Sequence, residues 1–112
     1  MSLHVVVTTF NPAPGLLERA ARSALACAGV AGVTIVDDGS AVPVEAPVRD
    51  DRVEVVRQVN AGPASARNAG LDRVRADWAV MLDDDDELVP EGVAGAIALA
   101  DRLGAVGALV IV

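Results

Sequence analysis

Trp78-Ala79-Val80-Met81-Leu82-Asp83-Asp84-Asp85-Asp86-Glu87 joins an apolar run of strand length directly to five consecutive acids. The apolar half predicts a buried β-strand over Trp78 to Leu82, and the acidic half predicts a turn at its C-terminal end. Neighbouring carboxylates about 4 Å apart repel by roughly 4 kcal/mol per pair at an effective dielectric of about 20. Taken alone, such a run is a solvated turn. Its surroundings point instead to a bound cation.

Working outward, Leu3 to Thr9 is an apolar, β-branched run, the pattern of a strand covered on both faces, and reads as the first, central strand. Phe10-Asn11-Pro12-Ala13-Pro14-Gly15 is a turn, after which Leu17, Ala21, Ala24, Leu25 and Ala28 recur at helical spacing and predict an amphipathic helix ending near Gly29. Val33 to Val36 is a second strand, and it too ends in acids, Asp37-Asp38-Gly39-Ser40. Ala41 to Asp51, with Pro43 and Pro47, reads as a loop. Val53 to Val59 is a third strand, closed by Asn60-Ala61-Gly62, and Pro63 opens a helix to about Val74 or Arg75. Pro90 opens another helix, with Val93, Ala96, Ile97 and Ala100 inward and Gly104 as its stop. Ala105 to Val112 reads as a fifth strand.

This alternation predicts one α/β domain over 1–112, an open, mainly parallel Rossmann-like sheet of about five strands flanked by helices. Ligands of such sheets bind beyond the C-terminal strand ends, where the strand order reverses. Every polar cluster here falls at such an end: Thr8, Thr9 and Asn11, then Asp37 and Asp38, then Asn60, then Asp83 to Asp86. Acids far apart in sequence therefore converge on one rim.

The totals narrow the chemistry. With 53% hydrophobic residues and 2% aromatics, the core must be built from Val, Ala, Leu and Ile, which suits a covered parallel sheet. A net charge of -7 excludes nucleic acid or an anionic membrane as a general partner. All nine basic residues are Arg, so lysine-dependent chemistry is excluded. Cys27 is the only cysteine, which leaves no disulfide framework and no thiolate metal site, and its spacing among alanines places it in the core. No signal peptide is read at the N-terminus, and the longest apolar stretch, Ala105 to Val112, falls far short of the roughly 20 residues of a membrane helix, so a cytoplasmic location is expected. A fifth strand leaves an apolar sheet edge to be covered by further chain or by another copy, so homo-oligomerisation is an expectation.

A carboxylate-rich rim without thiols, in a chain whose one histidine is His4, selects a hard cation, Mg2+ or Mn2+, bridging protein carboxylates to a diphosphate. Asp83 and Asp85 can reach one site from a turn, whereas Asp84 and Glu87 have a purely solvated role open to them. Asn60 to Gly70 begins a helix beside the same rim, and a helix N-terminus favours anions. Arg67 on that helix either pairs with one of the acids or contacts the base or phosphates of a nucleotide.

Four stretches in order, Val5-Val6-Val7-Thr8-Thr9-Phe10-Asn11, Val36-Asp37-Asp38-Gly39-Ser40, Asn60-Ala61-Gly62 with Ala66-Arg67-Asn68-Ala69-Gly70, and Met81-Leu82-Asp83-Asp84-Asp85-Asp86, resemble the blocks of the family 2 glycosyltransferases of the GT-A fold. The resemblance implies a donor site for a nucleotide-diphospho-sugar, UDP-, GDP- or dTDP-linked, and inverting transfer of its sugar to an acceptor hydroxyl. It places Thr9 and Asp38, with Asp37, at the base and ribose, and Arg67 beside the base. Asp83 and Asp85 take the family's DxD positions, Asp85 as the direct metal ligand and Asp83 nearer the ribose, and Asp86 matches a further acid.

Thr8 stands where the family usually has proline, and the loop from Ala41 to Asp51 replaces a helix. The family's catalytic base lies in chain beyond these blocks, so no residue here is assigned as base, and the alternative is a glycosyltransferase-like domain that binds nucleotide and metal, or only folds, without transfer. An EF-hand loop from Asp83 fails, since Leu88 stands where glycine is needed and Ala94 where glutamate is needed. A phospho-accepting receiver domain needs a lysine, and no Walker loop or GxGxxG follows the first strand. The Arg-only, Ala/Val/Gly/Asp-rich usage suggests a bacterial source.

Overall fold

The computed structural model describes residues 2–104 and 107–110. Along the chain run β1 (Leu3–Thr9), α1 (Leu16–Leu25), β2 (Val30–Asp37), β3 (Val53–Arg57), α2 (Pro63–Leu71), β4 (Trp78–Asp83), α3 (Pro90–Arg102) and β5 (Gly107–Val110). The five strands form one sheet in the order β3-β2-β1-β4-β5. Each neighbouring pair is parallel. This is the doubly wound α/β architecture expected, with β1 at the centre. The order reverses between β1 and β4, because β1 leads through α1 to β2 on one side while α2 carries the chain back to β4 on the other.

Burial explains why β1 shows no alternation. Val5 and Val7 join Leu17, Ala20 and Ala24 of α1 and Val93 and Ile97 of α3 in one apolar layer. Val6 faces the other way, with Val36, Met81 and Ala66 of α2. A strand buried on both faces has no solvent side to mark with polar residues. Helix α2 lies close on its face because Gly70 has no side chain: a Cβ there would stand 2.2 Å from Val6 Cγ1.

Four boundaries differ from the sequence expectation. Helix α1 stops at Leu25, and Ala28 is exposed, because the chain turns through Gly29, whose carbonyl accepts the Leu3 amide at 2.9 Å. Strand β2 starts at Val30, paired with Leu3, although Ala31-Gly32 look like a break. Gly32 is needed there, since a Cβ would lie 2.8 Å from the His4 ring. Strand β3 ends at Arg57, leaving Val59 exposed, and α2 ends at Leu71, where a tight turn carries Arg73 back to Glu54 on β3. Of the expected fifth strand, Gly107–Val110 is observed, while positions 105, 106, 111 and 112 lie outside the described residues. Cys27 is buried in the core, as expected.

His4 does not reach the rim. Its Nε2 lies 2.7 Å from Thr34 Oγ1, and the Thr34 hydroxyl donates to Glu54 at 3.0 Å, which Arg73 also grips. Burial lowers the His4 pKa more than the Glu54 charge raises it. The ring is a neutral member of the sheet's polar interior.

Candidate functional site

Register decides which residues meet. In the β1-β4 pairing Thr8 lies beside Asp83, and in the β1-β2 pairing Thr9 lies beside Asp37, so the polar ends of three strands are level. A cleft of about 340 Å³ opens over them. The end of β1 contributes Thr8, Thr9 and Phe10 to its walls, α2 contributes Pro63, Ala66 and Arg67, the acidic turn contributes Asp83, Asp84 and Asp85, and Asp38 follows β2. Of the residues expected at a donor site, Thr9, Asp38, Arg67, Asp83 and Asp85 are thus brought together.

Asp37 is not among the residues lining the cleft. It is fully buried and receives the Ser40 amide at 2.9 Å, the Val44 amide at 3.0 Å and Arg57 Nη1 at 2.8 Å. Burial pushes its carboxyl up, but the hydrogen bonds from Ser40, Val44 and Arg57 outweigh that and leave it below the ordinary carboxylate value. Asp37 therefore anchors the start of the loop that follows β2. Arg57 completes the anchor by donating to the Ser40 carbonyl at 2.8 Å, and Asn11 binds the same loop through the Ala41 amide at 2.9 Å.

Asp38 organises the segment that leads into α2. Its Oδ1 accepts Gln58 Nε2 at 2.8 Å and the Ala61 amide at 2.9 Å, while Oδ2 accepts the Gly62 amide at 3.0 Å and Asn60 Nδ2 at 3.2 Å. The Gln58 and Ala61 bonds are the leading causes of its lowered pKa. Gly62 has φ 97° and ψ 167°, a backbone region open essentially to glycine alone. In that conformation its N–H donates to Asp38 while Pro63 begins the helix.

The acidic turn is differently provisioned. Thr9 Oγ1 donates to Asp84 at 2.6 Å, and Asp83 has Thr8 at 3.5 Å and a loose contact with Arg67 Nη2 at 3.9 Å. The Asp86 amide closes the turn onto the Asp83 carbonyl at 3.1 Å. One carboxylate oxygen from each of Asp83, Asp85 and Asp86 lies within 4.8 Å of the others. Among the described residues, neither the Asp85 nor the Asp86 carboxylate has a hydrogen-bond or ion-pair partner. Such a set of uncommitted hard oxygens can hold a divalent cation.

Some of the site was not foreseen. Phe10, half exposed, lines the cleft, as does Asp84, for which a purely solvated role had also been open, and Arg57 and Gln58 hold the two aspartates at the end of β2. Arg57 carries a signal only in register, since it pairs with Asp37 across β2 and β3. Phe10 is one of two aromatic residues in the chain and sits at the end of the central strand, a cue available in the sequence.

The chain is similar to several known proteins. The chain is 36% identical to the succinoglycan biosynthesis protein ExoW of Rhizobium meliloti, with 92% of this chain and 35% of that protein covered. It is 40% identical to the succinoglycan biosynthesis protein ExoO of the same organism, over 89% of this chain and 30% of that protein. It thus spans about a third of the length of these relatives. The crystal structure of S. aureus TarS 1-349 superposes with a TM-score of 0.69 at 22% identity, covering 91% of this chain and 33% of TarS. TarS has also been crystallised with UDP and with UDP-GlcNAc. No helix among the described residues is long and apolar enough to cross a membrane. The family described as Glycosyl transferase family 2 matches residues 4–112, and the chain is a member of that family.

Proposed function

We propose that the cleft binds a nucleotide-diphospho-sugar with Mg2+ or Mn2+ and presents it for inverting transfer of the sugar to an acceptor hydroxyl, as the donor-binding part of a glycosyltransferase. The observation that carries this reading is convergence: Thr9, Asp38, Arg67, Asp83 and Asp85 line one cleft, beside the uncommitted Asp85 and Asp86 carboxylates. In this reading Asp85 is the direct metal ligand, Asp86 adds a second oxygen and Asp83 lies nearer the ribose. The bound ion supplies Lewis-acid stabilisation of the departing diphosphate.

The protein's own groups bind and orient. Half-exposed Phe10 offers a flat face to a nucleobase. Among the described residues Arg67 has only a 3.9 Å contact to Asp83, so its guanidinium retains donors for base or phosphate. The N-terminal end of α2, lining the cleft through Pro63 and Ala66, favours the charge of the diphosphate. Asp38 has each carboxylate oxygen doubly hydrogen-bonded, and Asp84 already receives Thr9, so both serve to fix the walls. The acceptor-side base is assigned to none of these residues.

A thermal-shift series with UDP, GDP and dTDP, each with and without MnCl2, tests the proposal. Stabilisation is expected from a nucleotide together with Mn2+, and it should vanish in Asp85→Ala. No shift with any of the three, with or without metal, would overturn the reading. UDP is the first to try, because TarS, which shares the fold, has been crystallised with it.

A further inference from the structure

Helix α1 is not part of the cleft wall, yet two of its side chains hold the backbone of the acidic turn. Arg19 Nη2 donates to the Asp85 carbonyl at 2.7 Å. One helical turn later, Ser23 Oγ accepts the Leu88 amide at 2.9 Å while donating its own proton to the Ala20 carbonyl at 2.7 Å. Residues four apart share a helix face, so the two side chains form a single attachment. Arg19 has no ion pair among the described residues, whereas Arg22 on the same helix is taken by Glu18 at 2.8 Å.

The turn is otherwise held at its two ends and, at Asp84, by the Thr9 hydroxyl at 2.6 Å. Asp83 is the last residue of β4, and Leu88 is buried in the layer shared with Val93. Between them the Asp86 amide reaches the Asp83 carbonyl, and no side chain of the cleft binds the backbone of Asp85 or Asp86. Fixing the Asp85 carbonyl fixes the peptide between Asp85 and Asp86. It thereby fixes the directions in which both carboxylates leave the chain.

We infer that Arg19 and Ser23 are positioning residues for a divalent cation in the acidic turn, acting through the backbone of Asp85 and Leu88 and touching neither metal nor donor. The inference rests on the metal site proposed above. It is separable from a purely electrostatic role because the two have opposite signs. Arg19 is a cation beside an acidic cluster, so if only its charge mattered, removing it would tighten Mn2+ binding. If it positions the ligands, removing it weakens binding despite the more negative field, as loss of outer partners of metal ligands does by about tenfold or more.

The test is direct titration of the full chain with MnCl2, counting free Mn2+ by electron paramagnetic resonance, for wild type, Arg19→Gln, Ser23→Ala and Asp85→Ala. Hydrogen exchange of residues 84–88 is followed without metal, and circular dichroism confirms folding of each variant. Positioning predicts an affinity about tenfold weaker in Arg19→Gln and faster exchange in the turn. A smaller loss of affinity is expected in Ser23→Ala. Equal or tighter Mn2+ binding by a folded Arg19→Gln protein would overturn the inference while leaving the metal site standing. A wild-type chain that takes up no Mn2+ would overturn both.

Discussion

Two parallel strands of this sheet end in consecutive aspartates, and the structure treats them in opposite ways. After β2, Asp37 and Asp38 are buried and accept seven hydrogen bonds through their carboxylates, three at Asp37 and four at Asp38. After β4, the Asp85 and Asp86 carboxylates have no partner among the described residues, and Asp83 has only long contacts. The same residue type beyond two strand ends is saturated in one case, whereas in the other only Asp84, which accepts the Thr9 hydroxyl, is firmly bound. A carboxylate whose lone pairs are filled by fixed amides stabilises a loop, whereas one facing like charges with its lone pairs empty favours a cation.

That contrast can be broken most severely at Asp37. Asp37→Ala should lower stability by about 3 kcal/mol in urea unfolding, because it strands the Ser40 and Val44 amides and the Arg57 guanidinium. A loss under about 1 kcal/mol would show that the saturated pair is not structural.

A smaller effect is expected from acid. The pKa values of Asp37 and Asp38 are lowered in the fold, so their contribution is complete above the unfolded carboxylate value of about 3.9 and is lost as pH falls through the folded values. Unfolding free energy measured from pH 6 to pH 2 should therefore drop below about pH 4. The drop should be shallower in Asp37→Asn, and an unchanged slope there would remove Asp37 from the account.

The smallest effect sharpens the other side of the comparison. Without metal, Asp85→Ala should leave stability within about 0.5 kcal/mol of wild type, since its carboxylate has no partner among the described residues. A large destabilisation would mean that the acidic turn is structural after all.

How far the sequence could be read follows from the range of each interaction. The elements were legible because their signals are local: β-branched runs, helical spacing of apolar residues, and prolines at Pro63 and Pro90. Misplaced boundaries share a non-local cause. Helical spacing persists to Ala28, but Gly29 turns because it must meet Leu3. Gly32 resembles a strand breaker only until His4 is placed against it. The β2 acids were grouped with the donor site, and nothing in their own neighbourhood distinguishes Asp37, below the loop, from Asp38, at the cleft.

By itself the sequence determined the strand and helix order, the central place of β1, the gathering of acids at C-terminal strand ends, and through four short blocks the family. The tertiary structure decided which of those acids are engaged. The donors that saturate Asp37 and Asp38 include Arg57, Gln58 and Asn60, about twenty positions away, and the arginine that steadies the acidic turn comes from α1, 66 positions from Asp85. Hydrogen bonds act over about 3 Å, so a carboxylate's function is set by neighbours that strand register and helix packing bring to it, and those are fixed only when the chain has folded.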